Sequence, residues 1–417
     1  MGARSHRILF LTAITPLAHA LEAYISETTC PWGSLSSAFQ QYVCPSVDVV
    51  KSLHYVGDDG ESHQRDDAGD PKGNVWKTFP DCFGEYCVYT NNDFFGKGIS
   101  LITTAQNHVR VAQIQVAQTA SRLDDEKARI AKIPGKGKGL VATKAIRRGE
   151  RIMAARPALL VHRNIFSELQ FEDVYYLMDM AVENLPRPRR TSYLAQAGTM
   201  GGHKITDILF TNSFQMGLGD DDDGFHYGNF PEVSLLNHDC RPNLAFFVDK
   251  NLTHHTHAVR DIRLGEELTI SYLDPLQVRS VRQERTQNSL GFSCGCSHCS
   301  LSKKESDASD GRLLTISRLD GELSDFNSKS SSPAMVEEYL ALYKEERLES
   351  KIANAYTLAA LNYNLFGRAD IAQQYARLSI EAGLLESGPD AVGVQQMKIL
   401  ADYPESHWSW NLKPHRP

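Results

Sequence analysis

Three things are scarce in this chain of 417 residues. No stretch approaches the roughly 18 to 20 consecutive apolar residues that a membrane-crossing helix needs, so no span is expected. No basic excess exists: 44 Lys and Arg stand against 51 Asp and Glu, for a formal net charge of -7. Without a dense Lys/Arg patch, direct binding to a nucleic-acid backbone is not expected, and basic proteins or peptides are the better-matched partners. Cysteine is missing between Cys87 and Cys240, which splits the eight cysteines into two quartets that need separate explanations.

What is present is ordinary for a globular protein. At 41% hydrophobic and 23% charged residues, the chain is neither disordered nor fibrous, and it is long enough for two or three domains. At the N-terminus, Arg4 and Arg7 precede "ILFLTAITPLAHA", ending at Ala18-His19-Ala20. That order of charge, short apolar run and small residues reads as a secretory signal over residues 1–20, with a buried helix or a mis-chosen start codon as the alternatives.

In an oxidising compartment the first quartet, Cys30, Cys44, Cys82 and Cys87, allows two disulfides in three pairings; elsewhere it would be free thiols. A zinc site there is the weaker option, because only Cys82 and Cys87 are neighbours and their spacing is wide for a zinc pair. The second quartet is sharper. "CGCSHC" places Cys294, Cys296 and Cys299 close enough to wrap one tetrahedral ion, which wants a fourth ligand from elsewhere. Cys240 is the favoured fourth; His298 competes, but sits inside the loop beside Cys299. His238, two residues before Cys240, is a further competing ligand.

Periodicity organises the rest. Residues 21–130 form a cysteine-containing N-terminal region, polar and turn-rich until a helical pattern runs from Leu101 to Ile130. Short strands are expected at Leu140 to Thr143 and Arg151 to Ala155, helices over about 161–212, and strands again from Asn243 to Leu273. His254, His255 and His257 fall in a predicted hairpin and read as exposed strand residues. Asn251-Leu-Thr253 is a glycosylation acceptor only on the secretory route. Asp220 to Asp223 reads as a solvated acidic loop. Residues 301–417 comprise a Ser/Asp/Lys-rich linker through "NSKSSSP" and then a helical region, "AYTLAALNYNLFGRADIAQQYARLSIEAGLL" giving two helices with a break at Phe366-Gly367 and alanines where they would approach, in the manner of a tetratricopeptide-like hairpin.

"GKGKGLVA", "SLLNHDCRPN", "GEELTISYLD" and "GFSCGCSHC" occur in that order. The set resembles the SET-domain protein lysine methyltransferases, its last motif being similar to their post-SET zinc cluster. Spacing, helical insert and helical tail resemble the SET-and-MYND subgroup, although no MYND cysteines occur; "CVYTN" at Cys87 to Asn91 is similar to fungal-type relatives. The resemblance implies an α+β fold of small sheets with a pseudoknot-like threaded segment: a SET domain over 131–275, a zinc segment over 276–300 and a helical C-terminal region.

The resemblance also implies function: transfer of a methyl group from S-adenosylmethionine to a lysine side chain of a protein, by a monomeric chain. Tyr272 is then the catalytic residue, aligning the amine with its phenolic oxygen. Gly137, Lys138, Gly139, Asn212, Leu235, Asn237, His238, Tyr272 and Phe292 contact the cofactor, with Phe292 stacking on adenine. Cys240, Cys294, Cys296 and Cys299 hold Zn2+. Glu266 and Glu267 are expected to stabilise the fold and not to act as acids. The competing class is a catalytically silent SET-fold binding or scaffold protein. The N-terminal signal points to the secretory route, the family to the nucleus or cytoplasm.

Overall fold

A computed structural model of the chain describes residues 75–114, 127–218, 224–327 and 330–413. The expected signal over 1–20, Cys30, Cys44 and the acidic run Asp220 to Asp223 lie outside the described residues. No helix among the described residues is long and apolar enough to cross a membrane.

Along the chain the strands are β1 (Lys77–Thr78), β2 (Cys87–Asn91), β3 (Ile99–Thr103), β4 (Ala128–Ile133), β5 (Gly137–Ala142), β6 (Arg151–Ala155), β7 (Leu159–His162), β8 (Ser213–Gly217), β9 (Phe225–Asn229), β10 (Asn237–His238), β11 (Leu244–Val248), β12 (His254–Ala258) and β13 (Glu267–Ile270). The helices are α1 (Ala105–Ala112), α2 (Ile165–Glu168), α3 (Phe171–Glu183), α4 (Arg187–Leu194), α5 (Lys204–Asn212), α6 (Arg279–Leu290), α7 (Lys303–Ser324), α8 (Pro333–Glu345), α9 (Ile352–Leu365), α10 (Ala369–Glu386) and α11 (Val392–Asp402).

The strands form a six-stranded sheet in the order β1-β2-β3-β7-β9-β8, a four-stranded sheet β10-β13-β5-β4 and a three-stranded sheet β11-β12-β6. This is the expected α+β architecture of small sheets, and α2 to α5 fill the expected helical insert. One core joins Leu140, Ile152, Leu268 and Ile270 from the two smaller sheets, and Leu236 just before β10, to Leu101 and Leu160 of the large one. A second lies between the large sheet and the insert helices, through Val161, Leu177, Met178 and Leu209.

The helix expected from Leu101 to Ile130 is not formed as such. Leu101 belongs to β3 and Ala128 to Ile130 to β4, with only the eight-residue α1 between them in the described chain. Every residue of "ISLIT" in β3 is buried, because β2 and β7 flank it. A strand buried on both faces loses the alternation that would mark it, and reads like part of a helix. At Thr104 the hydroxyl accepts from the Asn107 amide (3.3 Å), which starts α1 one residue after the strand ends.

The histidines of β12 also depart from expectation. His254 is fully buried and His255 and His257 are half-buried, because β12 is the central strand of its sheet. His254 stacks on Phe246 (4.7 Å) and meets Phe214 (4.7 Å) and Phe230 (5.4 Å), and among the described residues its Nε2 has no hydrogen-bond partner.

Of the first cysteine quartet, Cys82 and Cys87 are disulfide-bonded. The C-terminal helices pack on their own core, with Ala355, Ala359, Ala372 and Ala376 buried where α9 and α10 approach. The break falls as expected: Gly367 has φ +74, and a Cβ there would stand 2.7 Å from Asn411 Oδ1.

Candidate functional site and four-cysteine centre

The two-residue strand β10 runs parallel to β13, pairing Asn237 with Thr269 and His238 with Ile270; β13 in turn runs antiparallel to β5. Three separated motifs thereby meet. Asn237 donates from Nδ2 to Glu267 Oε1 (2.9 Å) and to the Lys138 carbonyl (3.2 Å). That approach explains Gly139, where a Cβ would stand 2.6 Å from both Asn237 Nδ2 and Ile133 Cγ1. Gly137 has φ +78 and open space where a side chain would go, leaving a bare backbone edge beside Lys138. Glu267 also pairs with Lys136 Nζ (2.8 Å), and Glu266 is bound by Arg260 (2.6 Å) and Asn243 (3.1 Å), so both carboxylates serve the scaffold as expected.

Tyr272 follows β13. Its hydroxyl donates to the Leu236 carbonyl (2.6 Å), while its ring remains 37% exposed. Burial of the oxygen, with Glu267 nearby, holds the phenolic proton well above the ordinary tyrosine range. The phenol is therefore neutral at physiological pH, with its proton committed to Leu236 and its lone pairs available.

His238 has a defined tautomer by the same reasoning. Its Nδ1 accepts the backbone amide of Tyr272 (3.1 Å), so Nε2 carries the proton and donates to Cys240 Sγ (3.3 Å). Burial pushes its pKa down to about 4, which keeps the ring neutral. His238 is thus a bridge from the catalytic candidate to the cysteine cluster, a side-chain role that sequence reasoning had not assigned.

Phe292 stands edge-on to Tyr272 (6.4 Å between ring centres) and 6.0 Å from His238. Asn212, the last residue of α5, spends its amide donors on the Ala197 (2.7 Å) and Ile208 (2.8 Å) carbonyls. Thr199 packs against Gly291, beside Phe292, so Asn212 reaches this rim through the 197–199 loop. Leu235 packs half-buried against the core one residue before the carbonyl that Tyr272 uses.

The sulfurs of Cys240, Cys294, Cys296 and Cys299 all lie within 4.8 Å of one another and are buried. Four convergent thiols are the donor set of a structural zinc site. Hydrogen bonds within the cluster set the thiols against each other, lowering those of Cys296 and Cys299 and raising that of Cys240. His298 is not aimed at the sulfurs: its Nε2 lies 3.2 Å from Ser309 Oγ and 3.6 Å from Glu346 Oε2. The surrounding carbonyls are all engaged. Cys240 O accepts from Arg241 (2.8 Å), Cys294 O from Gln283 (2.8 Å), Cys299 O from Arg279 (3.0 Å) and Cys296 O from the Ser300 amide (3.0 Å).

Comparison with known proteins matches this arrangement to a family. The SET domain model fits residues 137–273, from the bare glycine edge to just past Tyr272. The chain carries a SET domain, and its relatives include lysine methyltransferases. The histone-lysine N-methyltransferase set5 of Schizosaccharomyces pombe is 26% identical over 289 residues, covering 67% of this chain and 85% of that protein. Human SMYD3, a histone-lysine N-methyltransferase, is 41% identical over 85 residues, which is 20% of this chain and 19% of SMYD3. Human SMYD2, an N-lysine methyltransferase, is 34% identical over 98 residues, or 23% of this chain and 22% of SMYD2. This chain therefore matches the human relatives over about a fifth of their length. Within the SET domain lie Gly137, Lys138, Gly139, Asn212, Leu235, Asn237, His238, Cys240 and Tyr272; Phe292 and the other three cysteines follow it.

Proposed function

We propose that this SET-domain protein transfers a methyl group from S-adenosylmethionine to the side-chain amine of a lysine in a protein, with Tyr272 as its catalytic residue. The observation that carries the reading is the Tyr272 hydroxyl, tied to the Leu236 carbonyl at 2.6 Å while its ring stays partly open beside Asn237 and His238. S-adenosylmethionine supplies a methyl group on a sulfonium centre, open to in-line displacement by a neutral amine. Because its proton is engaged, the phenol offers only lone pairs to an incoming lysine, orienting the amine and stabilising the charge that grows on nitrogen. A free lysine amine, with a pKa of about 10.4, is protonated near neutrality, so it reacts only after giving up that proton.

The fit to the cofactor rests on this chain's own groups. The glycine edge at Gly137 and Gly139 with Lys138, the Asn237 amide oxygen left free by its donor bonds, and the Phe292 ring form a strip with an exposed backbone, a polar centre and a flat apolar end. Leu235 and Asn212 contribute from its edges. Cys240, Cys294, Cys296 and Cys299 would hold zinc, which supplies a rigid tetrahedral tie between the SET domain and the post-SET segment. The parallel β10–β13 pairing suits a threaded segment, and α9 with α10 suits one tetratricopeptide-like hairpin.

The test is to incubate purified full-length chain with labelled S-adenosylmethionine and mixed histone and non-histone proteins, comparing wild type with Tyr272→Phe. Label on lysine from the wild type alone is expected. Equal transfer by both forms would remove Tyr272 from the reaction, and cofactor binding without transfer by either would leave a binding protein.

A further inference from the structure

We infer that Glu346, the C-cap residue directly after α8, is a positioning residue for the four-cysteine centre, so that the C-terminal helices hold the metal ligands and, through them, the wall of the cofactor site. The inference rests on reading the four cysteines as a metal site. Arg241 directly follows Cys240 and is almost wholly buried, as is Glu346. Its Nη2 pairs with Glu346 Oε2 (2.7 Å), its Nε donates to the Glu346 main-chain carbonyl, and its Nη1 donates to the carbonyls of Cys240 (2.8 Å) and Pro275 (3.0 Å). The same carboxylate accepts from Ser309 Oγ (2.8 Å) and Arg312 Nε (2.7 Å) of α7, and Ser309 Oγ meets His298, between Cys296 and Cys299.

One carboxylate thus touches both halves of the ligand set. It reaches Cys240 through Arg241, and Cys296 and Cys299 through Ser309 and His298. Charge balance does not account for it. A divalent ion with four thiolates carries net negative charge, so a carboxylate beside it is unfavourable unless it does something else. What it does is fix Arg241 and the α7 face. A buried ion pair is costly to desolvate and persists when its polar atoms are partnered, and here each guanidinium nitrogen and each carboxylate oxygen of the pair has a partner; removing one side leaves the other uncompensated. Because Arg241 holds the Cys240 carbonyl, loss of Glu346 frees the backbone that aims Cys240 Sγ. Groups behind metal ligands act in this way on retention of the ion.

The experiment uses the full chain loaded with zinc. Release to a chromophoric chelator is timed for wild type, Glu346→Gln, Arg312→Gln and Glu322→Gln, the last lying in an exposed helix pair with Arg318. Cobalt(II)-substituted samples give the thiolate charge-transfer and ligand-field bands of the same proteins. Glu346→Gln is expected to bind one ion but to release it about tenfold faster, with altered cobalt bands, and Arg312→Gln about threefold faster, while Glu322→Gln matches wild type. Wild-type release rates and cobalt bands in Glu346→Gln would overturn the inference. Should Glu346→Gln not fold, Arg312→Gln decides, since its half-buried guanidinium touches the same carboxylate. If wild type takes up neither metal, or Cys240→Ser retains it as wild type does, the metal reading itself has failed; if metal binds and only the release rates are unchanged, the clamp alone has failed.

Discussion

Removing one oxygen from Tyr272 separates chemistry from binding. Tyr272→Phe keeps the ring against His238 and Phe292 but loses both the bond to Leu236 and the acceptor for the amine. A fall in kcat of about 100-fold or more is expected, with cofactor affinity changed less than about threefold, measured by single-turnover transfer and calorimetry. At Gly139 the prediction is reversed. The alanine Cβ would collide with Asn237 Nδ2 and Ile133 Cγ1, so Gly139→Ala should weaken cofactor binding first and destabilise the fold by about 1–3 kcal/mol. An unchanged cofactor affinity in that variant would contradict the placement of Asn237. Asn237, the glycines and the cysteines were legible because their types and order carry the chemistry. The His238 bridge was not, since which ring nitrogen bonds to what depends on a β10–β13 pairing between residues more than thirty positions apart.

At the scale of elements, α7 is the most informative. It opens with a capping box, Ser302 Oγ accepting from the Glu305 amide while Glu305 accepts from the Ser302 amide, yet it contains exposed Gly311 and Gly321 with nothing near a would-be Cβ. Gly311→Ala and Gly321→Ala should each stabilise the chain by about 0.5–1 kcal/mol, read as a raised denaturation midpoint. No gain at either position would mean that the helix is not continuous there. The helices of the insert and the α9–α10 pair were legible from their spacing, but α7 was not: Lys303–Ser324 lies in the Ser/Asp/Lys-rich stretch expected to be a linker, and its apolar stripe of Leu313, Ile316, Leu319 and Leu323 is buried only against the other C-terminal helices. The strand β3 was not: "ISLIT" is buried from end to end, and only its neighbours β2 and β7, not its own pattern, distinguish it from a helix.

Across the whole molecule, buried neutral histidines set the response to acid. Burial pushes His226 and His254 down to about 3, against about 6.5 in an unfolded chain. Between these values the unfolded state binds protons that the folded state refuses, so stability is complete above about pH 6.5 and is lost as pH falls below it. The slope approaches about 1.4 kcal/mol per pH unit for each histidine. Denaturant melts at pH 7.5 and 5.5 should show this loss, and His254→Leu, which suits the phenylalanine surroundings, should shrink it; an identical loss in the variant would exclude His254 as a contributor. The joint between SET domain and C-terminal helices was the least legible feature. Arg241 in "CRPNLAFF" demands an acid, but that acid is Glu346, 105 residues later, and nothing local announces it.

The account stands or falls on whether the open ring of Tyr272 faces a reacting lysine. Mass spectrometry of a histone and non-histone protein mixture, after incubation with the full-length chain and S-adenosylmethionine, measures that directly. The account predicts the mass of added methyl groups on lysine side chains with wild type and none above background with Tyr272→Phe. Methyl groups appearing equally with both proteins, or on residues other than lysine, would contradict it.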